Sequence, residues 1–95
     1  MKIFQMPPFK KYVKKLPRQF QQIILDAVED ILADTDVGEL KTGDLKGIQV
    51  YKFTMGRQLI LMGYKVQNDS IILYQAGPHE NFYRDLKKYL KETGG

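Results

Sequence analysis

The chain contains a single histidine, His79, which stands in the segment GPHENFYRDLKKYL at residues 77–90. A Gly-Pro pair before it indicates a turn, and apolar residues recurring after it at helical spacing indicate a helix. If that helix begins at residue 79, Tyr83 lies one turn further along on the same side. Histidine takes or delivers protons near neutral pH, so the pair could act together on one substrate group. The residues alone also allow a structural role, in which His79 begins the helix and Tyr83 packs beside Leu86.

The composition narrows the available chemistry. Ninety-five residues suffice for one domain with a single core, so we predict one domain over 1–95. The absence of cysteine excludes disulfides, zinc–thiolate clusters and a thiol nucleophile. With one histidine, a transition-metal site is not expected, and neither is a cofactor. Any catalysis must use one imidazole, hydroxyls, carboxylates and cationic side chains.

Charge is unevenly distributed along the chain. The net charge is +4, yet seven of the 11 acidic residues lie between residues 26 and 44. The remaining segments are correspondingly cationic, which favours polyanion binding through one face, or else solvated charged helix faces. There is no apolar stretch typical of a signal peptide or a membrane span, so we predict a cytoplasmic protein with no membrane partner.

The first third of the chain predicts a strand and two helices. Residues 2–6 favour a strand that stops at a Pro-Pro pair, and a helix follows from Pro8. Pro17 then breaks this helix and begins a second one. The face of the first helix opposite its apolar residues carries Lys10, Lys11, Lys14 and Lys15. The second helix has an apolar stripe of Phe20, Ile24, Ala27, Val28, Ile31 and Leu32.

The rest of the chain predicts a loop, three strands and a helix. Residues 34–47 hold three glycines without periodicity and are predicted to be a loop. From residue 48, β-branched and aromatic residues predict a hairpin turning near residues 55–56 and then a further strand. A terminal helix with frayed residues 92–95 completes the order β-α-α-β-β-β-α. The predicted fold is therefore α+β, with a mainly antiparallel sheet, a helical hairpin and a C-terminal helix.

Four short motifs occur in a recognisable order: GDLKG, VYKF, GYKV and GPHENFY. Together with the order of elements, they resemble the RelE/ParE superfamily of bacterial toxin–antitoxin toxins across about residues 1–91. The YafQ-like branch is most similar, since there an aromatic ring follows a histidine by four positions, as Tyr83 follows His79 here. The resemblance implies a small sheet with helices packed on one side and a concave cationic surface on the other.

The resemblance also implies a function. Most RelE-like and YafQ-like toxins cleave messenger RNA in the ribosomal A site, and metal-free cleavage uses the 2′-hydroxyl of the substrate as nucleophile. On this basis His79 transfers protons, Tyr83 stacks on a base or assists proton transfer, and Lys52 holds the scissile phosphate. Arg57, at the hairpin turn, could contact phosphate through its planar guanidinium. Lys52 could instead be an ordinary solvent-facing strand residue.

Other cations are candidates for contacts with the RNA backbone. Lys46 and Arg84 could bind phosphate, and the four lysines of the first helix could bind ribosomal RNA, although each could be generic surface charge. The family implies an antitoxin partner, whose acidic or amphipathic segment would cover the basic surface. Two other functions remain open at this point: a ParE-like inhibitor of DNA gyrase without nuclease activity, and a degenerate non-toxic relative.

Overall fold

The computed structural model describes residues 1–94. It contains three α-helices and five strands: β1 (Lys2–Gln5), α1 (Pro7–Lys14), α2 (Arg18–Ala33), β2 (Glu39–Leu40), β3 (Gln49–Met55), β4 (Gln58–Gln67), β5 (Ser70–Pro78) and α3 (His79–Thr93). The strands form one sheet in the order β1-β5-β4-β3-β2, in which only the β1–β5 pairing is parallel. The predicted α+β class with a mainly antiparallel sheet is confirmed.

The segment predicted to be a plain loop, 34–47, contains structure that the sequence pattern did not reveal. Glu39 and Leu40 pair antiparallel with Val50 and Gln49, which makes β2 a short edge strand. A 3₁₀ turn over Gly43–Leu45 follows and buries Leu45. A two-residue strand shows no alternation of apolar and polar residues, so its pairing depends on the neighbouring strand.

The helical hairpin forms as its prolines indicate. Pro7 and Pro8 occupy the first turn of α1, and Pro17 is the residue before α2. The Gln21 side-chain amide donates hydrogen bonds to the carbonyls of Val13 and Leu16, at 3.0 and 3.1 Å, and so caps the end of α1. Four of the six predicted stripe residues in α2 are buried: Ile24, Ala27, Val28 and Ile31. Leu32, which the stripe also included, is 38% exposed.

The residues of β4 alternate between the two faces of the sheet. Ile60, Met62 and Tyr64 belong to the core beneath α1 and α2, whereas Leu61 belongs to a second core beneath α3. Gly63 allows α3 to approach closely, because a Cβ there would lie 3.1 Å from Phe82 and 3.2 Å from Leu86 side-chain atoms. Helices therefore cover both faces, and the expectation of helices on one side only is wrong.

An extra residue in β5 sets the entry into α3. Gly63 pairs with Gln75 and Tyr64 pairs with Leu73, so Tyr74 is a bulge residue without a partner in β4. Beyond the bulge, the buried Gln75 amide donates a 3.0 Å hydrogen bond to the Phe82 carbonyl of α3. The bulge thus ties the last strand to the helix that follows it.

The C-terminal helix is longer than the predicted fraying of residues 92–95 allowed. It continues to Thr93, whose hydroxyl donates to the Tyr89 carbonyl at 2.9 Å. Gly94 closes the helix with φ 74, a conformation that favours glycine, and its N–H donates to the Leu90 carbonyl. Residue 95 lies outside the described residues. Within 1–94, none of the helices combines the length and apolar character needed to span a membrane.

A buried polar cluster joins the segment before β2 to the sheet. The Tyr64 hydroxyl donates to the Thr35 carbonyl at 2.7 Å and accepts from the Gly38 N–H at 2.9 Å. The Gln49 amide donates to the carbonyls of Thr35 and Gly38 at 2.8 and 3.2 Å. Burial raises the pKa of Tyr64. Gly38 is required for this close approach, because a Cβ there would lie 2.7 Å from the Tyr64 hydroxyl oxygen.

Candidate functional site

His79 and Tyr83 lie together at the start of α3, as their spacing predicted. His79 is the first residue of the helix and is exposed, and Tyr83 is half-buried one turn later. Their ring centroids are 5.9 Å apart with an interplanar angle of 81°. Tyr83 also meets the buried Phe82 ring edge to face, at 5.3 Å and 89°. The core thus fixes Tyr83, and Tyr83 supports the exposed imidazole.

Lys41 joins this pair, although no pattern in the sequence indicated it. Its ammonium lies 5.4 Å from the centroid of the Tyr83 ring, within the range of a cation–π interaction. It also forms an ion pair with the Glu39 carboxylate. The hydrogen bond with Glu39, and further the contact with Tyr83, raise the pKa of Lys41. Lys41 therefore remains a cation at neutral pH.

The position of Lys41 results from pairing between β2 and β3. Its backbone N–H donates a 2.8 Å hydrogen bond to the Ile48 carbonyl, which continues the pairing of Glu39 and Leu40. This pairing places residue 41 opposite the start of β3 and on the side of α3. A prediction of 34–47 as an irregular loop contains no such information.

Lys52 is exposed on the same face of the sheet as α3. Its strand neighbour on that face, Val50, packs in the core beneath α3, while Tyr51 and Phe53 face the hairpin. The hydrogen bond from Lys41 is the main cause that lowers the pKa of Glu39, and the charge of Lys52 contributes to the same effect. Lys41 pairs directly with this carboxylate, and the positive charge of Lys52 acts on it from β3.

We call this group the imidazole site. It consists of His79, Tyr83, Lys41, Glu39 and Lys52. Lys52 pairs with Leu61, and Leu61 pairs with Gly77, two residues before His79. The site thus combines one imidazole, one phenol and two cations along one edge of α3.

The two candidate arginines are not part of this group. Arg57 lies in the exposed turn between β3 and β4, and in the described chain no hydrogen bond or ion pair links it to the imidazole site. Arg84 forms an exposed pair with its neighbour Asp85, with 3.4 Å between Nε and Oδ1. Exposed pairs of this kind contribute little to stability.

The lysines proposed for backbone contacts are divided among three places. Lys11 and Lys15 line a groove of about 650 Å³ between α1 and α3, opposite Glu80 and Asp85. Lys10 and Lys14 are exposed on α1 and do not line it. Lys46 lies at the far end of α3, in a pocket of about 500 Å³. The structure therefore does not gather the predicted phosphate contacts on one surface with His79.

Among residues 1–94 no three histidine, aspartate or glutamate side chains gather in a way that could hold a metal ion. The side chains of the imidazole site are of the types that transfer protons and bind negative charge.

The chain matches the model of one protein family over most of its length. Residues 3–87 match the family model of the ParE-like toxin of type II bacterial toxin–antitoxin systems. The match spans most of the sequence, so the chain belongs to this family, within the RelE/ParE superfamily of toxins. A search of curated protein sequences returned no significant match.

Solved structures show the same fold. An arginine double mutant of the E. coli toxin RelE in the free state is similar with a TM-score of 0.69 and 14% identity, covering 94% of this chain and 96% of that one. RelE in the intact E. coli RelBE toxin–antitoxin complex gives 0.64 and 14%, covering 83% and 96%. A conserved hypothetical protein from Helicobacter pylori gives 0.52 and 19%, covering 83% and 94%.

Proposed function

We propose that this toxin is a ribosome-dependent endoribonuclease that cleaves messenger RNA without a metal ion. The observation that carries the proposal is the exposed imidazole of His79, edge-on to Tyr83, with the cations Lys41 and Lys52 on the same face. Cleavage of a phosphodiester by the 2′-hydroxyl of the RNA requires proton transfer and stabilisation of negative charge, and these groups can supply both. Toxins similar in fold, the RelE group, also favour this activity over a purely structural role for the pair.

The proposed reaction exchanges one bond to phosphorus for another within the RNA, with the 2′-hydroxyl of the RNA as nucleophile. The 2′-hydroxyl oxygen forms a bond to the adjacent phosphorus as the bond from phosphorus to the 5′-oxygen breaks. One proton leaves the 2′-hydroxyl and another reaches the departing 5′-oxygen, so the products are a 2′,3′-cyclic phosphate and a 5′-hydroxyl end. His79 makes one of these proton transfers, because an imidazole exchanges protons near neutral pH. Tyr83 orients the imidazole, and its hydroxyl is available for the second transfer.

The cations stabilise the additional negative charge of the transition state. Lys41 stays protonated because its pKa is raised, so it acts as a fixed positive charge and not as a base. Lys52 approaches the same region from β3. A phosphate that enters the site takes the place of the Glu39 carboxylate beside Lys41. Arg57 has no part in this arrangement and would act only if the hairpin turn moved toward the RNA.

The proposed partners are an antitoxin and the ribosome. The RelE toxin of similar fold forms a complex with an antitoxin, RelB, in the intact RelBE structure. We extend this to the present chain: a cognate antitoxin with an acidic or amphipathic segment would neutralise it by covering the cationic face. In the absence of antitoxin, lysine-rich surfaces would bind ribosomal RNA while the imidazole site contacts the message.

The test is the variant His79→Ala, compared with Lys88→Ala on the exposed face of the same helix. Loss of general acid–base catalysis is expected to reduce cleavage by at least about a hundredfold. The fold should be retained, since His79 is exposed. Primer extension on messages from cells expressing each variant measures cleavage, and growth measures toxicity.

The outcomes separate the alternatives. Discrete cuts with the wild type and with Lys88→Ala, but not with His79→Ala, support the proposal. DNA damage without RNA cuts would instead indicate a gyrase inhibitor, and unimpaired growth without antitoxin would indicate a non-toxic relative. Full toxicity and cleavage by His79→Ala would remove the histidine from the mechanism.

A further inference from the structure

A cluster of lysines lies at the opposite end of α3 from His79. Together with the loop before β3 and the end of β4, the last turns of α3 enclose a pocket of about 500 Å³. Its floor contains the apolar Ile48 and Leu90. Its charged lining consists of four lysines and one acid: Lys46, Lys65, Lys87, Lys91 and Asp44. We call this group the lysine pocket.

None of these four lysines has an acidic partner. Among residues 1–94 the ion pairs are Lys41 with Glu39 and Arg84 with Asp85. Lys87 and Lys91 are four residues apart on one helix face, a spacing at which like charges repel by about 0.2–0.5 kcal/mol. The pocket therefore concentrates positive charge without neutralising it internally.

The helix dipole does not account for the cluster. Lysines near a helix C-terminus interact favourably with the last carbonyl groups, which explains Lys87, Lys88 and Lys91 equally well. Lys88, however, does not line the pocket, and Lys46 and Lys65 belong to other elements. The dipole therefore does not explain why lysines from three separate segments line one pocket.

The Lys65 side chain lies close to the backbone of Gly47 in the loop before β3. Gly47 has φ 89, a conformation that side-chain-bearing residues rarely adopt. A Cβ at this position would lie 3.6 Å from Cε and 4.0 Å from Nζ of Lys65. The positive φ therefore favours glycine between Lys46 and Ile48, and the Lys65 side chain runs close to this part of the loop, at ordinary van der Waals distance.

We propose that the lysine pocket is a second binding site for the phosphate backbone of single-stranded RNA, separate from the imidazole site. Both sites lie on the face of the sheet that α3 covers. Twelve residues of helix separate His79 from Lys91, which at 1.5 Å per residue is about 18 Å. A strand running along α3 would therefore place one phosphate at the imidazole site and others at the lysine pocket. This inference rests on the proposed function only in taking RNA as the polyanion.

The test measures binding, without any need for cleavage. The probe is a fluorescent single-stranded oligonucleotide of 2′-O-methyl RNA, which has the phosphate backbone but no nucleophile and cannot be cut. Its affinity for the full chain is measured by anisotropy over a range of salt concentrations. The variant is Lys65→Ala with Lys87→Ala, and the control is Lys2→Ala with Lys88→Ala, which removes the same charge from exposed lysines outside the pocket.

The expected result is weaker binding and a smaller salt dependence for the pocket variant alone. Each lost phosphate contact on a single strand lowers the slope of log affinity against log salt by about 0.7, so two lysines lower it by about 1.4. If the variant and the control lost the same affinity for the oligonucleotide, the change in net charge would explain the effect and the proposal would be wrong. An unchanged slope, or pocket-dependent binding of an acidic peptide in place of the oligonucleotide, would also overturn it. His79→Ala retains all four lysines of the pocket, so adding Lys65→Ala with Lys87→Ala to it should lower the salt slope by the same amount as in the wild type, and failure of the cleavage mechanism would leave this result intact.

Discussion

The two faces of the sheet differ in how completely helices cover them. Two helices, α1 and α2, pack on one face, whereas α3 alone covers the other and packs on β4 and β5. Five strands about 4.8 Å apart span about 19 Å between the outermost strand axes, and one helix with its side chains is about 10 Å across. A single helix therefore leaves strand side chains beside it in contact with solvent.

Because of this difference, the polar groups of one face are enclosed in the protein, whereas charged groups of the other face remain exposed to solvent. On the hairpin face, the polar groups of Tyr64 and Gln49 are buried and paired within the protein. On the α3 face, Lys52 and Lys65 flank the helix and remain accessible, the first near His79 and the second in the lysine pocket. The covered face thus carries a closed core, and the partly covered face carries the groups available to an anionic ligand.

The largest expected effects come from truncating each core. Leu86→Ala beneath α3 and Ile31→Ala beneath the hairpin remove side chains that are 0% exposed. Each should lower the free energy of unfolding by about 2–5 kcal/mol in urea titrations. Only Leu86→Ala should also impair RNA cleavage under conditions where both variants stay folded, because α3 positions the imidazole site.

Leu25→Ala serves as the control for these two variants. Leu25 is 54% exposed on α2, so its truncation should change stability by no more than about 0.5 kcal/mol. If Ile31→Ala impaired cleavage as much as Leu86→Ala at equal folded fraction, the two faces would not be functionally separate.

A smaller effect is expected from Tyr64→Phe on the hairpin face. Loss of the hydroxyl leaves the Gly38 N–H without its acceptor and the Thr35 carbonyl without one donor, in a buried place. The cost should be about 1–3 kcal/mol of unfolding free energy, measured by urea titration. RNA cleavage should be unchanged in the folded variant.

Tyr51→Phe is the matched comparison for that variant. The Tyr51 hydroxyl donates a 2.8 Å hydrogen bond to Asp30 at an exposed position, where water can replace it. It should therefore lose less stability than Tyr64→Phe. Equal losses would mean that burial of the Tyr64 cluster contributes nothing beyond a single surface hydrogen bond.

The smallest expected effect concerns the imidazole site itself. Glu39→Gln removes the carboxylate that Lys41 and Lys52 face, so affinity for the uncleavable oligonucleotide should rise severalfold by anisotropy. Because the neighbouring cations lower the pKa of Glu39 below its ordinary value of 4.5, the carboxylate stays charged through mildly acidic pH. The difference from the wild type should therefore disappear only as the pH falls through that lowered pKa.

Glu92→Gln, an exposed change near the end of α3, controls for net charge. If it increased affinity as much as Glu39→Gln, the carboxylate paired with Lys41 would have no special role. If Glu39→Gln decreased affinity, Glu39 would be orienting Lys41 for the ligand and not competing with it.

Much of the fold was predictable because its long elements carry strong local patterns. Apolar residues at helical spacing indicated α2 and α3, and β-branched residues around the turn at residues 55–56 indicated β3 and β4. The same periodicity placed His79 and Tyr83 on one side of a helix, and the structure has them there with rings 5.9 Å apart. The edge strand β2 was missed because two residues contain no period.

The predicted site also included residues that lie away from His79 in the structure, because sequence patterns describe only local arrangement. Arg57 was predicted to contact phosphate because it carries a planar guanidinium at the hairpin turn, and the structure places it in the exposed turn between β3 and β4. Lys46 carries a motif of the family, yet it lies near Lys91 and not near His79. Motif order reports which elements are present, and it does not report which ends of those elements meet.

The sequence by itself determined the type and order of the main elements and the pairing of His79 with Tyr83, because these depend on residues within a few positions of one another. Only the tertiary structure decided that Lys41 lies over Tyr83 and that Lys65 joins Lys87, residues that are far apart in the chain. Such contacts depend on the register between β2 and β3 and on the placement of α3 over Gly63. Register and packing are properties of the assembled sheet. The charged residues around His79 therefore could be identified only from the way in which the strands of the sheet pair.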